Sequence, residues 1–174
     1  GLITSKGVGT CTITAKAGST SATCSITVQQ YATGVSLSPT NSTINVGGTV
    51  KLTATVTPSN ATNKNVTWSS SNTSVATVSG GTVTGVGGGS CTITAKSNSN
   101  NLIEATATIT VNVPATGITL SHSSLSFTGV KENKQLIAVV TPLNATNGTV
   151  TWKSSNTSVA TVDSDGNVTS VGKG

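Results

Sequence analysis

Arginine and methionine are absent from this 174-residue chain, aromatic residues make up 2% of it and charged residues 7%. Each scarcity removes a class of function. Nine lysines are scattered against four acids, so the net charge of +5 forms no basic cluster interleaved with aromatics that would follow a phosphate backbone. No nucleic-acid partner is expected. A lone histidine, His122, and three cysteines without zinc spacing leave no expected metal or cofactor. No run approaches the roughly 20 apolar residues of a membrane span, so no membrane insertion is expected. The opening "GLITSKGVGT" lacks the charged and apolar regions of a signal peptide, and the chain reads as an excerpt or processed product of something longer.

What is present is equally uneven. About a third of the residues are Ser or Thr, yet Val, Ile, Ala and Leu are plentiful and regularly placed, which separates the chain from the low-hydrophobicity, high-charge profile of disorder. Thr and Val favour strands, and an all-β protein with Gly and Asn turns follows.

The sequence also repeats itself. "VTWSSSNTSVATV" (Val66 to Val78) returns as "VTWKSSNTSVATV" (Val150 to Val162) with one substitution. The stretch from Ala32 aligns with that from Ala115 with one inserted residue, and "GTCTITAK" (Gly9 to Lys16) answers "GSCTITAK" (Gly89 to Lys96). Self-similarity at a fixed period of 84 residues means modules in an array. The expected division is the last third of one repeat over residues 1–30, a whole repeat over 31–114 and the first two-thirds of another over 115–174.

Within the whole repeat apolar residues alternate. Val50, Leu52, Ala54 and Val56 share one face of an expected strand, followed by Val66 and Trp68, Ala76 and Val78, Cys91, Ile93 and Ala95, and Ala107, Ile109, Val111 and Val113. Breaks fall at "VGG", "TPSNATNKN", "SGG", "VGGGS" and "KSNSNN". About seven short strands with a Trp on a middle strand predict an immunoglobulin-like two-sheet sandwich. The expected core comprises Trp68, Trp152, Leu52, Val56, Ala76, Val78, Ile93 and Ile109.

The order "TGVSLSP", "GGTVKLTATVTPSNATN", "VTWSSSNTSVATV" and "GTVTGVGGGSCTITAK" resembles the bacterial immunoglobulin-like domain, group 2, across essentially the whole chain. The resemblance implies tandem β-sandwich domains of the kind found in intimin- and invasin-like adhesins, in surface-layer and cell-wall proteins, and appended to phage virion proteins. The chain departs from the family at Cys11 and Cys91, where a small residue is usual.

Four features invite a chemical reading. The hydroxyls of Ser69, Ser70, Ser71, Thr73 and Ser74 need a base and an orienting acid to act as nucleophiles. His122 is replaced by Pro39 in the whole repeat, so no catalytic residue and no enzyme is expected. The better reading is that both tryptophans fill the space between sheets while "SSNTS" turns the chain, an exposed Trp platform for glycan being the competing one. "DSDGN" (Asp163 to Asn167) has too few carboxylates for a calcium loop and reads as an Asp-Gly turn. Cys11 and Cys24 fall on the same parity of adjacent strands, a candidate cross-strand disulfide, although buried free thiols acting as small hydrophobes are favoured. Eight Asn-x-Ser/Thr sites are what so much Ser and Thr yields by chance.

Short connections, "VQQYATG" and "VNVPATG", leave no room for a flexible tract. The leading expectation is therefore a non-catalytic stiff stalk or spacer of an extracellular bacterial surface protein, its partners being neighbouring Ig-like repeats of the same or an adjacent chain. A host-cell surface protein or glycan is a further candidate partner. The alternatives are a decoration array on a phage capsid or tail, and a filament subunit that completes its sandwich by strand exchange. "GLITSKG" and "GNVTSVG" occupy the same part of the repeat, which weighs against exchange.

Overall fold

The structure, a computed structural model, describes residues 1–172, so the last two positions of the third expected segment lie outside the described residues. It is all-β, with no helix among the described residues. Strand β1 (Gly9–Ala17) and strand β2 (Thr20–Val28) form an antiparallel hairpin. The first eight residues are not in a ladder.

The next segment holds nine strands: β3 (Gly34–Ser38), β4 (Asn41–Asn45), β5 (Thr49–Lys51), β6 (Thr53–Thr57), β7 (Val66–Ser70), β8 (Ala76–Ser79), β9 (Thr82–Gly85), β10 (Gly89–Ser97) and β11 (Glu104–Asn112). One layer runs β4-β11-β10-β7, with β4 parallel to β11 and the other pairs antiparallel. The second layer contains β3-β6 and β5-β9-β8. The expected single strand through Val50 and Val56 is broken at Leu52, whose backbone N–H donates to the Gly81 carbonyl at 2.8 Å. The chain passes from β9 as partner to β3 as partner at that point, and so unites the layer. This is an immunoglobulin-like sandwich, four strand positions on each side.

Between the layers lie Leu52, Val83, Ile93, Ile109 and Val111, all fully buried, together with Ala76, Leu37 and Cys91. Val56 instead joins Ala32 and Ala61 in a smaller cluster at the end where the chain enters. Trp68 and Val78, expected in the core, are half-buried and pack against its margin. The reason is positional: β7 and β8 are edge strands of their sheets, so one flank of each side chain meets solvent.

After Asn112 the pattern restarts with β12 (Gly117–Leu120), β13 (Asn133–Gln135), β14 (Ala138–Thr141), β15 (Ala160–Val162) and β16 (Asn167–Ser170). The pairs β12-β14 and β13-β16-β15 reproduce the layer built by β3, β6, β5, β9 and β8. No described strand corresponds to β10 or β11. Leu37, packed under β11, is 7% exposed, whereas its counterpart Leu120 is 48% exposed. Residues 150–154, "VTWKS", are not in a strand although "VTWSS" is β7, and Trp152 is half-buried beside open space lined by Leu136, Ala138 and Val150. Strand propensity without a ladder partner does not make a strand.

One glycine recurs where it must. Gly81 and Gly166 both adopt φ +82°, and a Cβ at Gly81 would lie 2.6 Å from the Leu52 carbonyl oxygen and 3.0 Å from Trp68 Cζ2. A Cβ at Gly166 would strike the Leu136 carbonyl oxygen and come within 2.9 Å of Trp152 Cζ2. The indole therefore rests directly on a glycine backbone. Gly81→Ala is expected to lower stability by about 1–3 kcal/mol from the backbone conformation alone, with the contacts adding to it, as a reduced urea midpoint at unchanged slope.

Candidate functional site

The hydroxyl-rich motif is the densest polar feature, and its bonds are local. In the whole repeat Ser70 Oγ accepts from Asn72 N–H at 3.3 Å, and Asn72 Oδ1 accepts from Ser74 N–H at 3.0 Å. The Asn72 carbonyl then accepts from Val75 and Ala76, each at 3.1 Å. Ser71 is tied to β10 twice, its N–H donating to the Thr92 carbonyl and its Oγ accepting from Thr92 N–H, both at 2.9 Å. The second copy repeats the turn: Ser154 Oγ accepts from Asn156 N–H at 3.2 Å and Asn156 Oδ1 from Ser158 N–H at 3.0 Å. Short polar side chains bonding the backbone two residues on are turn chemistry.

His122 sits beside Ser121, with Nδ1 and Oγ 3.0 Å apart, and is exposed. Ser121 Oγ also accepts the Ile137 N–H at 3.0 Å, so this hydroxyl holds β12's end to the chain before β14. Trp68 sets Cζ2 and Cε2 of its indole against Gly81 and packs against the core margin.

In "DSDGN" the Asp163 carboxylate serves the turn itself. Oδ1 accepts from Asp165 N–H and Asn167 N–H, each at 2.9 Å, and Oδ2 accepts from the Asn167 side-chain amide at 2.8 Å. The Asn167 amide, then the Asn167 backbone N–H, hold the Asp163 carboxyl below its usual range despite slight desolvation. Glu132 is lowered in the same way, first by the Thr128 hydroxyl and then by the Thr128 N–H. Among the described residues no three His, Cys, Asp or Glu side chains gather as a metal site would need.

The strand register goes against the candidate disulfide and leaves the free thiols that the sequence favours. Cys11 stands opposite Ile26 and Cys24 opposite Ile13, so the two thiols are diagonal neighbours, about 7–8 Å apart at such positions against the 3.5–4.5 Å between Cβ atoms that a disulfide needs. In the whole repeat Cys91 likewise faces an isoleucine, Ile109. All three thiols are free; Cys91 is buried, and Cys11 and Cys24 are exposed.

Sequence reasoning passed over Thr62 and Thr146. Each hydroxyl accepts a backbone N–H from the segment entering its module, that of Gln30 at 2.9 Å and that of Val113 at 2.7 Å. Their signal was visible as the string "NATN" at Asn60 and again at Asn144.

The profile of the bacterial Ig-like domain (group 2) matches residues 31–111 and again 114–174. The chain belongs to the bacterial Ig-like domain (group 2) family. Among relatives of this Ig-like array, the Ig-like virion protein of Serratia phage KSP90 is 39% identical over 133 residues, covering 74% of this chain and 51% of that protein. An alpha-L-arabinofuranosidase of Bifidobacterium longum is 43% identical over 119 residues, 64% of this chain but 11% of the enzyme. The Ig-like chain spans between 11% and 51% of the length of the curated relatives it matches. Among solved structures, domains 4 and 5 of the S-layer protein SbsC superpose with a TM-score of 0.40 at 27% identity, covering 60% of this chain and 58% of that one.

Two measurements check this chemistry. Asp163 contributes to stability above its unfolded pKa of about 3.9, and the contribution is lost as pH falls through its depressed folded value. A carbon-detected NMR titration is expected to show Asn167→Ala moving the Asp163 midpoint upward. Intact mass after alkylation in denaturant, without reductant, is expected to show three modified thiols, and in the native state Cys91 alone protected.

Proposed function

We propose that these Ig-like modules form a non-catalytic, stiff spacer exposed on the outside of a bacterial cell, holding whatever the array carries away from the surface beneath it. The observation that carries the reading is the junction. Strand β11 ends at Asn112 and β12 begins at Gly117, and Val113 within that gap is already bonded to the next module. A flexible connection would need a longer Gly- and Ser-rich tract.

Support comes also from where the polar groups go. Two of the motif's five hydroxyls serve the fold, Ser70 Oγ in the turn and Ser71 Oγ on β10, and His122 has Ser121 as its hydrogen-bond partner on an exposed edge. The outward alternation of Thr on β10 and β11, Thr92 and Thr94 facing Thr108 and Thr106, gives a hydroxylated sheet surface with few charges. Such a surface suits a spacer that must remain soluble without attracting charged neighbours.

A second reading follows from one comparison. The virion protein of the Serratia phage shares three-quarters of this chain and half of its own length with it, which supports an array displayed on a phage particle. The physical task would be the same. Immunogold labelling of purified particles separates the two sites of display.

The spacer reading is tested by length. Small-angle scattering of the chain, and of versions with the 84-residue unit duplicated once and twice, is expected to show the longest dimension rising by a constant increment per unit. A dimension that grows only slowly as units are added, as for modules folding back on one another, overturns it. So does turnover of a glycoside or ester by the segment Ala32–Val113.

A further inference from the structure

We infer that Thr62 and Thr146 are joint residues, and that the surface they form is a docking site for the exit strand of the preceding module. This inference rests on the spacer reading and gives its stiffness a cause. The observation is a reciprocal pair of bonds present at both junctions. At the first, Gln30 N–H donates to Thr62 Oγ1 at 2.9 Å and Thr62 N–H donates to the Gln30 carbonyl at 2.8 Å. At the second, Val113 N–H donates to Thr146 Oγ1 at 2.7 Å and Thr146 N–H donates to the Val113 carbonyl at 2.8 Å.

The threonine imitates an edge strand. Its own N–H and hydroxyl supply the donor and acceptor that a neighbouring strand residue would supply, so the last residue of one module is held as if its ladder continued. The loop that presents it is fixed from inside the module. Ala61 N–H donates to the Pro58 carbonyl at 2.9 Å, and Ala145 N–H to the Pro142 carbonyl at 3.0 Å, closing the same four-residue turn in each. Three residues beyond the docked position the chain is bonded again, Thr33 N–H to the Thr57 carbonyl at 2.8 Å and Thr116 N–H to the Thr141 carbonyl at 2.7 Å. Both ends of the connection are therefore tied to one body, leaving only two residues between the ties.

The first joint carries an extra bond. Ala32 N–H donates to Ser99 Oγ at 3.0 Å, and Ala32 is 2% exposed in the cluster with Val56 and Ala61. Ser99 lies in the loop between β10 and β11, so this bond closes only where those strands are in place. The partner that fits the surface is thus a backbone: an extended exit strand whose side chain at the docked position is free to vary, as Gln30 and Val113 show. The sequon-like strings Asn60-Ala61-Thr62 and Asn144-Ala145-Thr146 recur for this joint, since their threonine hydroxyls are already engaged.

The test is NMR on the full chain. Thr146→Val removes the accepting hydroxyl at constant shape, and Thr146→Ser keeps it. Thr62→Val repeats the test at the other junction, read at Gln30. Both threonines are exposed loop residues, and unchanged amide shifts confirm folding, in β10 and β11 for Thr62→Val and in β14 and β16 for the Thr146 variants. The expected result is slow exchange of the Val113 N–H in the parent, about fivefold to tenfold faster exchange in Thr146→Val for a lost bond of ordinary net worth, and parent-like exchange in Thr146→Ser. The heteronuclear NOE of residues 113–116 should fall only in the valine variant. If the linker is stiff and Val113 exchange is equal in parent and valine variant, the hydroxyl joint is overturned while the spacer reading stands. If the linker is already mobile in the parent, both are overturned.

Discussion

The pairing of β10 with β7 on one side and β11 on the other is the interaction on which the rest of the module depends. Ala95 stands opposite Trp68 in this ladder, and Ile93, Ile109 and Val111 supply the most buried face of the core. Where no described strand corresponds to β10 and β11, "VTWKS" is not a strand, Leu120 is open to solvent, and only the layer made of β12, β14, β13, β16 and β15 is formed. Two nearly identical strings thus adopt different local structure, one paired with β10 and the other outside any described ladder.

The glycine beneath the tryptophan behaves differently. Gly81 and Gly166 hold the same φ and lie against the same indole edge whether or not the second layer is complete. That contact crosses from the turn between β8 and β9 to Trp68 of β7 in the facing layer, and both copies keep it. The module thus divides into a layer described in both copies and a layer described in one.

This division also explains what could be read from the sequence. Alternation at period two marked Leu52, Ala76, Ile93 and Ile109 because burial on one face of a strand leaves that signature whatever the partner. It did not reveal that Leu52 is where the chain changes partners, since both of its neighbours in the sheet accept the same alternation. Alternation puts Trp68 in the core, yet its position on an edge strand decides its exposure, and strand order is not written in periodicity. Parity put Cys11 near Cys24 but could not fix the register by two residues, which is the whole difference between a bridge and two thiols. The polar motif was legible as turn chemistry, whereas the joint was hidden in plain repetition, because a hydroxyl that serves a distant backbone looks like any other threonine.

The parallel alignment of β4 and β11 has a mechanical meaning. Five residues of each, from Asn41 opposite Thr108 to Asn45 opposite Asn112, lie side by side near the two ends of the module. A pull on the array draws these strands in opposite directions along their own length. The bonds between them are then strained together, in shear, and no single one opens first. A spacer loaded by flow or by a tethered particle would meet that force with a clasp, where an antiparallel pair pulled from one end would come apart like a zip.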